Sequence, residues 1–145
     1  MTEASTPHPP QRRVAGRVHT PAGWIAGTFH VPEQQSLLSF FNSARDFFTL
    51  TEVQLPGQSS EVPFLALQRS AVNLIIPAAD ERIDDDAAPD EDAVTHHVSC
   101  LLDGGVLMGT LQLPASVRVS DHLMANARFL AIHNCTVGFD RPRGV

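Results

Sequence analysis

From Arg13 the chain alternates apolar and polar residues through "RVAGRVHT" and turns at "PAG". It alternates again through "WIAGTFHVP", where Ile25, Phe29 and Val31 fall on one side. A period of two predicts two β-strands, and Pro32 stops the second. The spacing then changes: Leu37, Phe40, Phe41 and Ala44 recur at helical intervals within "EQQSLLSFFNSARD". That spacing predicts a short amphipathic helix or helical turn. Alternation returns in "FFTLTEVQL", a third strand. After the loop "PGQSSEVP", the runs "FLALQ" and "AVNLIIP" predict a hairpin around Arg69-Ser70.

The pattern is then written a second time. Laid over the first stretch at an offset of 82 residues, the later one matches without a gap. Gly23 meets Gly105, Gly27 meets Gly109, Thr28 meets Thr110, Pro32 meets Pro114 and Phe47 meets Phe129. Apolar positions between these identities also coincide, among them Phe41 with Leu123 and Leu50 with Ile132. An ungapped match of this length reads as an internal duplication. "HHVSCLL", "VLMGTLQLP" and "FLAIHNCTV" are its three strands, with a helix in "ASVRVSDHLMANAR". Ser120 and Asp121 suit the helix N-terminus, with Asp121 expected as its cap and Arg118 as its ion-pair partner or a solvent-facing residue. The second copy ends near Phe139, without the extra hairpin of the first.

The glycines carry the architecture. Gly23 and Gly105 close the two hairpin turns, where positive φ is needed. Gly27 and Gly109 sit mid-strand and mark a bulge, a bend or a close backbone approach. A bent second strand is what a small barrel needs to turn its corner. Cys100 aligns with Val18 and Cys135 with Val53, so both cysteines are expected as small buried hydrophobes.

The expected fold is therefore all-β with short helices, a duplicated small barrel or sandwich. Residues 1–12 form a Pro/Ser/Thr-rich tail, expected to be disordered, and 13–78 the first repeat with its extra hairpin. Residues 79–93 are an acidic linker, 94–139 the second repeat and 140–145 a short tail. At 145 residues and 43% hydrophobic content, the chain can bury a core.

Charge narrows the partners. Net charge is −6, and half of the sixteen acids lie in "DERIDDDAAPDED". The rest of the chain is near neutral and shows no basic stripe, which argues against nucleic acid. No apolar run is long enough to span a bilayer, and the first residues lack a secretory h-region. The expectation is a cytoplasmic protein without membrane insertion.

Strand, turn and bent strand with G-x-x-x-G, then a final hairpin "LALQRSAVNLIIP", resemble the Sm-like and SH3-like small barrels. That likeness implies a barrel fold and carries an Sm-like nucleic-acid reading as one alternative. A G-x-x-x-G strand followed by an "RLSDxLN…FLxL" phrase resembles small bacterial proteins of uncharacterised function. Arg118, Val119, Ser120, Asp121 and Leu123 supply the phrase in one copy, Phe41 and Asn42 in the other, with Phe129-Leu130 and Phe47-Phe48 after it. "RRVAGR", with Arg12, Arg13 and Arg17, is similar to the R-R-x-x-x-R of PilZ domains, which bind cyclic di-GMP. That likeness implies a phosphate clamp at a barrel edge; the companion D/N-x-S-x-x-G motif has no counterpart in "TPAGWIAGTF".

Other chemistry does not assemble. His96 and His97 are adjacent and point to opposite faces of a strand. His133 and Cys135 share a face, but two ligands are fewer than zinc requires. Ser120, Asp121 and His122 are neighbours in sequence and cannot converge as a triad. The acidic segment lacks the glycine and glutamate spacing of a calcium loop. These readings converge on a non-enzymatic protein–protein adaptor or scaffold without metal or cofactor, forming a homo-oligomer or docking onto a larger bacterial assembly. The alternative is a cyclic-dinucleotide sensor built on Arg12, Arg13 and Arg17.

Overall fold

The computed structural model describes residues 10–43, 46–78, 83, 92–125 and 128–139. The chain divides into two compact units, residues 1–81 and 82–145, each holding one antiparallel sheet. The protein is all-β with short helices, and neither sheet closes on itself. Among the described residues no helix is long and apolar enough to cross a membrane.

The first unit contains β1 (Gln11–Thr20), β2 (Gly23–Pro32), α1 (Leu37–Asn42), β3 (Phe47–Gln54), β4 (Glu61–Gln68) and β5 (Leu74–Pro77). β1 starts two residues before the expected boundary, so Gln11 and Arg12 belong to the sheet rather than to a tail. The strand order is β4-β3-β2-β1-β5. The expected hairpin around Arg69-Ser70 is therefore not formed: β4 pairs with β3, and β5 pairs with β1 at the other edge. A single 3₁₀ turn, Arg69–Ala71, links them. Its two ends are anchored separately, Arg69 N donating to Asp46 O (2.8 Å) and Asn73 N to His19 O (2.9 Å).

Alternation places Val14, Val18, Ile25, Phe29, Val31, Phe48, Leu50 and Val53 on one buried face. The Ser36 hydroxyl accepts from Ser39 N and starts α1, whose Leu37, Phe40 and Phe41 cover that face. Phe41 packs edge-on against Phe29 (5.2 Å between ring centroids) and against Phe48 (5.7 Å). Burying each such ring contributes about 1.5–3 kcal/mol. Ala44, expected on the same helix, lies outside the described residues.

The second unit contains β6 (Ala93–Leu102), β7 (Gly105–Pro114), α2 (Val119–Ala125) and β8 (His133–Phe139), in the order β6-β7-β8. β6 and β7 begin and end 82 residues after β1 and β2, with the same pairing register. Four local expectations change. The third strand starts at His133 rather than Phe129, because Phe47, Phe48 and Thr49 are held in their sheet by β4. Residues 129–132 have no such ladder partner among the described residues, and Phe129 precedes the strand half-buried. Asp121 is the third residue of α2 and not its cap; the Arg118 carbonyl accepts from His122 N (3.0 Å), while the Arg118 side chain faces solvent, one of its two expected roles. Gly23 has φ +116°, but in the second turn the positive φ belongs to Gly104 (+79°), the residue before Gly105. Cys100 is half-buried and Cys135 exposed, whereas their counterparts Val18 and Val53 are fully buried. A three-stranded sheet covers less of its own face than five strands with a phenylalanine-rich helix.

Residues 1–9 of the expected tail, 79–82 and 84–91 of the expected linker, and 140–145 lie outside the described residues.

Candidate functional site

The three arginines of "RRVAGR" do not converge. A strand alternates its side chains, so Arg12 lies on the opposite face from Arg13 and Arg17. Arg12 Nη1 donates to Pro32 O (2.7 Å) and Glu33 O (3.1 Å), tying the start of β1 to the end of β2. Arg13 Nη2 lies 3.0 Å from Glu52 Oε2, with both side chains well exposed. Arg17 sits over the Trp24 ring at 5.5 Å from its centroid.

Arg17 thus belongs to a small outer-face cluster. Trp24 meets His19 edge-on at 5.0 Å, and His19 Nδ1 pairs with Asn73 Nδ2 at 3.2 Å. Further along this face, His30 Nε2 and Thr51 Oγ1 are 2.8 Å apart. The groups are engaged mainly with their own sheet. A cation–π contact at such an exposed site contributes about 0.5–1 kcal/mol and orders the guanidinium.

Nothing in the sequence context of Arg69, "LALQRSAVN", marks it as a buried residue. It is only 8% exposed, its Nη1 donates to Ser43 O (2.6 Å), and its Nε finds no partner among the described residues. It follows β4 directly, with its backbone N–H donating to Asp46 O just before β3, and its guanidinium reaches the Ser43 carbonyl at the end of α1.

No group of three or more His, Cys, Asp or Glu suited to a metal forms among the described residues. Cys135 Sγ donates to Ile132 O (3.0 Å). Although the residue as a whole is exposed, its thiol is folded back on the chain. Desolvation, and secondly the neighbouring Cys100, push the Cys135 pKa above its ordinary value. That direction keeps the thiol neutral and opposes a nucleophilic role.

The second sheet presents a different surface. Leu101 is 86% exposed, its cross-strand partner Val106 41%, and Met108, next along the same face, 52%. The corresponding positions of the first sheet hold His19, Trp24 and Ala26. β6, β7 and β8 contain no aspartate, glutamate, lysine or arginine. This patch was legible as alternation: Leu101, Val106 and Met108 occupy the row opposite Leu107, Leu111 and Leu113, which are buried. In the sequence the buried row is the more evident of the two, because it matches Ile25, Phe29 and Val31 of the first copy.

No protein-family model matches the chain, and neither a curated protein nor a solved structure matches it.

Proposed function

We propose that the protein is a non-enzymatic protein-binding module, an adaptor that self-associates or docks onto a larger assembly. The observation that carries this reading is the uncharged second sheet with Leu101, Val106 and Met108 exposed side by side. Depletion of charge with apolar side chains and methionine brought forward is the composition of an interface core. The separate contacts of Arg12, Arg13 and Arg17 support the adaptor over the alternative of a cyclic-dinucleotide sensor.

The same proposal includes a duplicated, small-barrel-like architecture. Its support is the shared register of the two leading hairpins and the 3₁₀ turn that joins the two edge strands of the first sheet. Cytoplasmic residence belongs to it too, in keeping with two free thiols.

Light scattering at tens of micromolar tests the self-association arm: a mass above that of one chain is expected. Leu101→Asp with Met108→Asp should return the species to monomer. A monomeric parent over the whole range overturns that arm.

A further inference from the structure

We infer that the free edge of β6 pairs antiparallel with β6 of a second copy, about a two-fold axis at Ser99. One six-stranded sheet, β8-β7-β6-β6-β7-β8, results. This rests on the self-association reading above and names its partner.

An open strand edge recruits another strand unless it is short, charged, bent or broken by proline. Among the described residues, three of the four sheet edges carry such guards. β4 holds Glu61 and Pro63. β5 has four residues and ends in Pro77. β8 turns at Asn134, with φ +53°, where its register with β7 shifts. β6 is ten residues long with no charge, no proline and no glycine. Among the described residues, no strand pairs with it on the side away from β7.

The first unit shows what this edge accepts. On β1 the matching stretch is covered antiparallel by β5, pairing Gly16–His19 with Leu74–Pro77. His19 O accepts from Asn73 N (2.9 Å) and Ala15 O from Ala78 N (3.0 Å). The peptide groups of Ala15, Arg17 and His19 therefore face β5. Their counterparts on β6 are His97, Ser99 and Leu101, whose peptide groups face the open side by the same alternation. An axis at Ser99 sets Ser99 against the partner's Ser99 and His97 against the partner's Leu101. All of these residues lie on one face, so the pleat runs on unbroken.

Charge selects the copy as occupant. A two-fold contact sets each residue against its own kind or its mirror position, so any charge at the centre would meet its like. β6 contains none, in a chain whose net charge is −6. The pairing also covers Leu101, which is 86% exposed.

Ser99→Pro removes an N–H that points away from β7, so the β6–β7 ladder stays intact. Two lost hydrogen bonds per dimer should weaken association by about tenfold or more, with an unchanged circular dichroism spectrum. Ser99→Cys, made with Cys100→Ser and Cys135→Ser, should form a disulfide-linked dimer under mild oxidation. Directly hydrogen-bonded antiparallel partners lie about 5.5 Å apart at Cα, within disulfide reach. If Ser99→Pro does not fold, the cross-link decides. A parent dimer that keeps its affinity in Ser99→Pro and gives no cross-link at position 99 overturns the edge pairing while leaving self-association through another surface. A monomeric parent overturns both.

Discussion

Glu52 and Asn134 share one left-handed backbone conformation, φ +53° in each, 82 positions apart on strands bulged against Gly27 and Gly109. The register runs from Ala26↔Gln54 to Thr28↔Thr51, so Glu52 and Val53 together face Gly27. In the second sheet it runs from Met108↔Thr136 to Thr110↔His133, so Asn134 and Cys135 face Gly109. Each extra residue is a β-bulge, which bends its strand and sharpens the local twist.

Asparagine tolerates the left-handed region better than glutamate, because its short side chain hydrogen-bonds locally. Asn134→Ala should destabilise the protein by about 1 kcal/mol. Glu52→Asn should stabilise it by about 0.5 kcal/mol, since the exposed ion pair with Arg13 offsets little. Urea unfolding of both variants checks the pair, and opposite signs are the expected result.

The bulges explain the mid-strand glycines. A Cβ on Gly109 would lie 2.5 Å from Ile132 Cγ2 and 2.8 Å from His133 O, a backbone atom. On Gly27 the nearest atoms are side-chain ones, Val53 Cγ2 at 3.0 Å and Leu50 Cδ2 at 3.1 Å. Gly109→Ala should therefore cost about 2–3 kcal/mol and Gly27→Ala about 1 kcal/mol, the range of overpacking. Valine at either position should be worse. Melting curves like the parent's for both valine variants would contradict the bulge account.

Arg12 and Arg13 are neighbours with different duties. Arg12→Ala loses two charged hydrogen bonds to carbonyls and should cost about 1–2 kcal/mol. Arg13→Ala breaks an exposed pair and should stay within about 0.5 kcal/mol of the parent. Calorimetry with cyclic di-GMP should show no saturable heat. Micromolar binding abolished by Arg13→Ala would restore the sensor reading.

For Cys135, the raised pKa sets the direction of a pH effect. An unfolded cysteine ionises at about pH 8.5, and the folded Cys135 thiol holds its proton to a higher pH than that. The unfolded state thus binds fewer protons above that pH, and stability falls as pH rises from there toward the folded value. Iodoacetamide at pH 8 should modify Cys135 more slowly in the native protein than in denaturant, as read by peptide mass spectrometry. Equal rates would remove the desolvated thiol.

Periodicity and turn residues sufficed for the all-β class, for β1, β2, β6 and β7, and for the glycines on which the bulges turn. These depend on local chemistry: alternation, proline stops and the absence of a Cβ act over a few residues. Only the tertiary structure decided that β4 and β5 lie at opposite edges, because two strands joined by a short turn look alike on paper whether they pair together or separately. It also split Arg12 from Arg13 and Arg17 by contact: one guanidinium found carbonyls, one a carboxylate and one an indole ring. Phe47 starts its strand and Phe129 precedes its own for a related reason. Matching residues fold alike only where matching neighbours complete the ladder, and β4, distant in sequence from Phe47, is the neighbour that does so.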